Sequence, residues 1–200
     1  MDRTHAQQAA QLLWNAWQDS RKIERLPDAY RPQTIDDGYA VQAMLAICSN
    51  QSVSGWKIAA TSKAGQAHIG VNGPLAGRLL AAKISHSPAT LSLSTIGMRV
   101  AELEFAFRLA GDLPPRGREY STDEVMASVA SLHPAIEIPD SRFLDFSSIG
   151  PAQLIADSAC AGLFVCGNEA PLDWRTIDLA THPVSLRLNG VQAGEGSGAN

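Results

Sequence analysis

The chain has 200 residues, a net charge of -4 and a pI near 5.7, enough length to bury the core of one domain. No basic stripe marks it for nucleic acid, and its apolar runs stop well short of the roughly 20 residues that a membrane span needs. Cys48, Cys160 and Cys166 contain no CxxC pair, which argues against a disulfide framework or a zinc site. Met1 to Gln11 has no basic segment leading into an apolar one, so the expected setting is cytoplasmic with reduced thiols.

Thr4 is placed to cap a first helix in which Leu12, Leu13, Ala16 and Trp17 recur at helical spacing, ending before the Arg21 to Pro32 segment. A second helix follows Thr34, with Asp37 as the reciprocal cap and Val41, Met44, Leu45 and Cys48 as its buried stripe. Ser54 to Ala60 reads as a strand, Ile69 to Leu80 as a loop punctuated by glycine and proline, and Leu91 to Leu109 as extended chain. Ser121 and Glu124 form a capping box for a helix through Leu132, which Pro134 stops ahead of a strand from Ala135 to Ile138.

Pro151 suits the first turn of a short helix reaching Asp157, and Gly162 to Gly167 reads as a compact apolar strand. Val184, Leu186 and Leu188 alternate with polar residues into Asn189-Gly190, a hairpin signal whose partner strand barely begins before a glycine-rich, flexible end. That ending predicts that a C-terminal part of the fold is missing from the sequence. The expected class is α+β, with an N-terminal helical segment over residues 1–50 packing on a β-rich core over 51–200.

Glu102 and Glu104 lie two apart in the run Val100-Ala101-Glu102-Leu103-Glu104-Phe105-Ala106-Phe107. On a strand, Ala101, Leu103, Phe105 and Phe107 would share one face and both glutamates the other. Like charges side by side repel unless a cation or proton neutralises them, and a hard divalent metal suits such oxygen donors. The plainer alternative is a solvated strand face with surface ion pairs.

Gly55-Trp56-Lys57-Ile58 with Thr61-Ser62-Lys63, the Glu102-Leu103-Glu104 strand, Ala135-Ile136-Glu137-Ile138 running into Asp140-Ser141-Arg142, and Asn189-Gly190 before a Gly-x-Gly-x-Gly end together resemble the 2-oxopent-4-enoate (2-keto-4-pentenoate) hydratases of the fumarylacetoacetate hydrolase superfamily. The match runs through nearly the whole chain, in order. It implies a mixed, barrel-like β-roll in which Glu102, Glu104 and Glu137 bind Mg2+ or Mn2+, leaving open positions for a chelating 2-oxo acid. Lys57 would lie beside the metal as a fixed positive charge or proton carrier, although a lysine at an exposed strand end is the bland alternative.

The resemblance also brings Ser62, Asp140, Arg142 and Ser158 to the substrate, with Asp140 and Arg142 equally open to an ion pair that shapes their own loop. It implies a homo-oligomer, in possible association with another enzyme of the pathway, acting in aromatic-compound catabolism. The implied reaction is hydration of 2-hydroxypenta-2,4-dienoate to 4-hydroxy-2-oxopentanoate. Decarboxylation of 2-oxohex-3-enedioate (4-oxalocrotonate) and a catalytically silent partner subunit are the alternatives.

His68 and His133 have structural explanations, and no hydrolase-type segment accompanies them. Two departures from the family pattern stand out. Pro74-Leu75-Ala76-Gly77 lacks the aspartate of a Pro-Asp-aromatic-Gly turn, and Asp157-Ser158-Ala159-Cys160-Ala161 replaces an Asp-Asn-Ala-Ser-Ser run.

Overall fold

The computed structural model describes residues 1–199, which fall into two compact units. The first comprises Met1–Ser85, Thr90–Glu102 and Glu137–Phe164. Its helix α1 (Arg3–Gln18) is capped by Asp2, whose carboxylate accepts from the His5 backbone N–H at 2.8 Å, two positions before the expected Thr4. Asp is as strong a cap as Thr, and placing it at residue 2 lengthens the helix by two residues, about half a turn. Helix α2 (Ile35–Cys48) has the capping box expected of Thr34 and Asp37. Ala9, Ala10, Leu13, Val41, Leu45, Leu80 and Phe143 form the main apolar core of this unit.

Helix α2 also packs on α5 (Pro151–Ala156), and the approach needs glycine at 38, because a β-carbon there would stand 2.5 Å from the Ala152 carbonyl oxygen. The stretch expected to be a loop contains more order than its glycines and proline suggest. Ser62 caps a short helix α3 (Lys63–His68), and Leu75–Leu80 is strand β2, paired antiparallel with β1 (Val53–Ala59) in a register that sets Lys57 opposite Gly77. Leu75 packs with Ile69, Leu154, Ile155 and Cys160, and this apolar contact holds the strand. No helix of the described residues is long and apolar enough to cross a membrane.

Gly77 predicts one large stability effect. A β-carbon at this position would lie 2.0 Å from the Ser158 carbonyl oxygen and 3.0 Å from Lys57 Cγ. Backbone cannot yield as a flexible side chain does, so Gly77→Ala is expected to cost about 1–3 kcal/mol or more. The check is a urea denaturation midpoint, with a fall in melting temperature of about 2–4 °C for each kcal/mol.

The second unit comprises His86–Ala89, Leu103–Ile136 and the chain from Val165 onward. Helix α4 (Thr122–Ser128) has the Ser121 and Glu124 capping box, but it ends four residues before Leu132. From Val129 the burial alternates, with Val129, Ser131 and Ala135 buried and Ala130 and Pro134 exposed, so the chain is strand β5 (Val129–Ile138) and Pro134 lies within it. Period-two burial outweighs the helix propensity of the preceding turn. Arg116 and Arg118 flank Glu124 and, with the capping bonds, hold its carboxyl down at about 2.

Strands β7 (Pro183–Leu188) and β8 (Val191–Ser197) form the hairpin expected at Asn189-Gly190, both of which have positive φ, 52° and 80°. The glycine-rich end is therefore paired strand through Ser197 rather than loose chain. Val129, Leu132 and Trp174 form the small core of this unit. A four-stranded sheet has the order β3 (Ile84–His86), β6 (Leu163–Cys166), β5 and β4 (Glu102–Leu109). Gly162 and Gly167 flank β6 because β-carbons there would meet the Ile138 and Pro134 carbonyl oxygens at 2.1 and 2.5 Å.

Candidate functional site

Strand β1 inverts the usual rule for a half-buried strand. Trp56 and Ile58 are 52% and 50% exposed, while the Lys57 side chain between them is only 8% exposed. An inward lysine needs a negative partner. Its Nζ lies 3.1 Å from a Glu137 carboxylate oxygen and 4.0 Å from one of Glu102. Glu137 is 1% exposed, so the Lys57 ammonium compensates a carboxylate that water does not reach. Gly77 makes room for the lysine stem by presenting no side chain across the β1–β2 pair.

Glu102 opens β4 and Glu104 follows two residues along the same strand, while Glu137 is on β5, the neighbouring strand of the sheet. One carboxylate oxygen from each lies within 4.8 Å of the others. Both glutamates of β4 are half-buried, whereas Leu103 and Phe107 are exposed. Of the face expected for Ala101, Leu103, Phe105 and Phe107, Phe105 is half-buried against Val129, Leu132 and Trp174, while the other three are exposed. Three hard oxygen donors and no nitrogen or sulfur match the preference of Mg2+, Mn2+ or Ca2+.

The other expected site residues are occupied by the fold. The Ser62 hydroxyl accepts from the Gly65 N–H at 3.0 Å as the cap of α3. Asp140 accepts from Lys22 Nζ at 2.7 Å and from the backbone N–H groups of Gly97 and Met98 at 3.0 and 3.1 Å. Arg142 does not pair with Asp140. Its buried guanidinium forms an ion pair with Asp157, donates to the Ala161 carbonyl at 2.8 Å and stacks 4.1 Å from the Trp17 ring centre. Burial pushes the Asp157 carboxyl up, against the pull of Arg142.

Ser158 is buried and begins three successive left-handed residues, Ser158, Ala159 and Cys160, with φ of 51°, 50° and 64°. Non-glycine residues rarely hold this conformation, and each one stores strain. The residues that hold the run are Asp157, buried between Arg142 and Ser141, and Gly77, which admits the Ser158 carbonyl. No glycine or asparagine in the run signals it in sequence. Burial pushes the Cys160 thiol up to about 12, so it stays protonated at neutral pH and is a poor nucleophile. His68 packs edge-on against Phe146, and His133, a strand residue rather than a helix end, makes ring-nitrogen hydrogen bonds with Ser131 Oγ and the Gly167 carbonyl.

No protein-family model matches the chain. Its fold matches the structure of 4-oxalocrotonate decarboxylase from Pseudomonas putida G7 complexed with magnesium and adipate, with a TM-score of 0.84 and 25% identity over 100% of this chain and 75% of that one. The fold is thus of the fumarylacetoacetate hydrolase type, and it carries three carboxylates grouped closely enough to hold a metal ion. The chain is 32% identical to 2-keto-4-pentenoate hydratase of Paraburkholderia xenovorans over 196 residues, 96% of this chain and 71% of that protein. It is also 32% identical to 2-hydroxyhexa-2,4-dienoate hydratase of Comamonas testosteroni, over 99% of this chain and 75% of that protein. The chain belongs to the 2-keto-4-pentenoate hydratase family.

Proposed function

We propose that this chain hydrates 2-hydroxypenta-2,4-dienoate to 4-hydroxy-2-oxopentanoate, with Lys57 as the proton-handling residue and Glu102, Glu104 and Glu137 as the ligands of Mg2+ or Mn2+. The observation that carries the reading is the inward lysine of β1 against Glu102 and Glu137, in a chain related to hydratases along nearly its full length. An ion held by Glu102, Glu104 and Glu137 would supply Lewis-acid stabilisation of negative charge on the substrate's oxygens. Glu137 would hold such an ion from a buried position and Glu102 from a more exposed one.

The reaction balances in two steps. The 2-hydroxyl gives up its proton while C5 gains one, converting the dienol to 2-oxopent-3-enoate. Water oxygen then bonds to C4, and the water proton ends on C3. Lys57 Nζ, held among carboxylates, serves both steps as a positive charge beside the 2-oxo acid and as a carrier of protons. Asp140, Arg142 and Ser158 support the reaction by holding the loops that follow β5 and α5, and Ser62 by holding the start of α3.

The test is the loss of dienol ultraviolet absorbance with added Mg2+ and again with chelator, with the 4-hydroxy-2-oxopentanoate product identified. Metal-requiring turnover is the expected result, and absence of turnover with both Mg2+ and Mn2+ overturns the reading. The likeness to 4-oxalocrotonate decarboxylase supports a second reading, loss of carbon dioxide from 2-oxohex-3-enedioate. Evolution of carbon dioxide from that substrate, without hydration of the pentadienoate, would select it.

A further inference from the structure

In the first unit, a cavity of about 170 Å³ lies between α1 and the segment around Lys83, lined by Trp14, Trp17, Lys83, Thr95, Ile96 and Leu163. None of the residues proposed for catalysis or metal binding lines it. The Trp14 and Trp17 rings meet edge to face, 5.9 Å between centres, and two cations flank Trp17. Arg142 stands 4.1 Å and Lys83 Nζ 5.3 Å from the centre of that ring. The charge of Arg142 is matched by Asp157, but Lys83 makes no ion pair among the described residues. Burial, with Arg142 adding to it, holds the Lys83 amine below its usual value.

We infer that this cavity is a binding site for a small aromatic carboxylate, whose ring lies against the two indoles, Ile96 and Leu163 and whose carboxylate meets Lys83. A half-buried cation without a counter-charge is a cost that an entering anion relieves. Gln18 and Ser20 add polar groups to the lining, but the two indoles, Ile96 and Leu163 offer a ring an apolar surface that an inorganic anion cannot use. The volume is right for one ring, since a dry cavity of about 150 Å³ accommodates benzene. Thr95 adds a hydroxyl at the exposed rim that can donate to the second carboxylate oxygen. The site lies apart from Glu102, Glu104 and Glu137, none of which lines it.

The probe is benzoate, titrated by calorimetry against the full chain, with neutral benzamide as the control for charge. Expected are saturable binding of benzoate at one per chain and at least about tenfold weaker binding of benzamide. Lys83→Gln should weaken benzoate by about tenfold or more, and Thr95→Trp, which fills the cavity from its rim while keeping the lysine, should block it. Circular dichroism checks that both variants fold. Benzoate that fails to saturate, binds Lys83→Gln as tightly as the parent, or is lost in Glu137→Gln instead overturns the inference, the last outcome placing the ligand at the glutamates.

Discussion

Lys57→Met is expected to lower kcat/KM by about 10²–10⁴-fold while tightening the binding of Mg2+. The two effects come from one contact. Lys57 Nζ sits 3.1 Å from Glu137 and 4.0 Å from Glu102, so it occupies electrostatically the place where an ion would bind. Removing its charge takes a positive group from the reaction. It also leaves the carboxylates of Glu102, Glu104 and Glu137 with less to offset their mutual repulsion. The metal-free variant should therefore be less stable than the parent, by about 3–5 kcal/mol if Glu137 stays ionised in its buried place.

Added Mg2+ should raise the melting temperature of this variant more than that of the parent, because a ligand's stabilisation grows with the logarithm of the ratio of its concentration to its Kd. Calorimetric titration with Mg2+ and steady-state kinetics at saturating metal read the two effects separately. Glu137→Gln supplies the contrast, since it should lose both activity and metal affinity. Undiminished kcat/KM in Lys57→Met, or weaker metal binding than the parent, would remove Lys57 from the proposed chemistry.

The pair Glu102 and Glu104 was legible in the chain because its code is local, whereas Glu137 entered only through the family resemblance. Two residues of one type at spacing two share a strand face whatever the surrounding fold, and the same locality made the caps at Thr34–Asp37 and Ser121–Glu124 and the Asn189-Gly190 turn readable. Features set by distant partners were not legible. Whether Val129 to Leu132 extends a helix or starts a strand is decided by the sheet beside it, and Leu75–Leu80 becomes a strand by pairing with β1 despite its glycine. Asp140 and Arg142 are two apart and of opposite charge, yet each is captured by a residue far away, Lys22 in one case and Asp157 in the other. The left-handed run at Ser158–Cys160 has no local signal, because its cause is the buried Asp157 and the space above Gly77.

Arg142→Met is expected to be the most damaging single change to the fold outside the core aliphatics. Its guanidinium and the Asp157 carboxylate are 1% and 0% exposed. Asp157 also accepts from Ser141 Oγ and the Arg142 backbone N–H, at 2.8 and 2.9 Å. Removing one partner of such a pair leaves a buried charge uncompensated, at a cost of about 3–5 kcal/mol, which corresponds to a fall in melting temperature of about 6–20 °C for a chain of this size. The double variant Arg142→Met with Asp157→Leu removes both charges and should recover part of the loss, giving a coupling energy that a double-mutant cycle can measure.

The pH dependence of the single variant has a definite sign. Burial already pushes the Asp157 carboxyl up, and Arg142 is what opposes that push. Without the guanidinium the folded-state value rises further above the unfolded one, so folding of the variant favours the protonated acid. The deficit relative to the parent is then full above the raised folded value and shrinks as the pH falls through it toward the unfolded carboxylate value. Denaturation midpoints of parent and variant across that range read the narrowing directly. A deficit that stays constant, or widens on acidification, would mean that the loss comes from the packing of Arg142 on Trp17 rather than from the stranded charge.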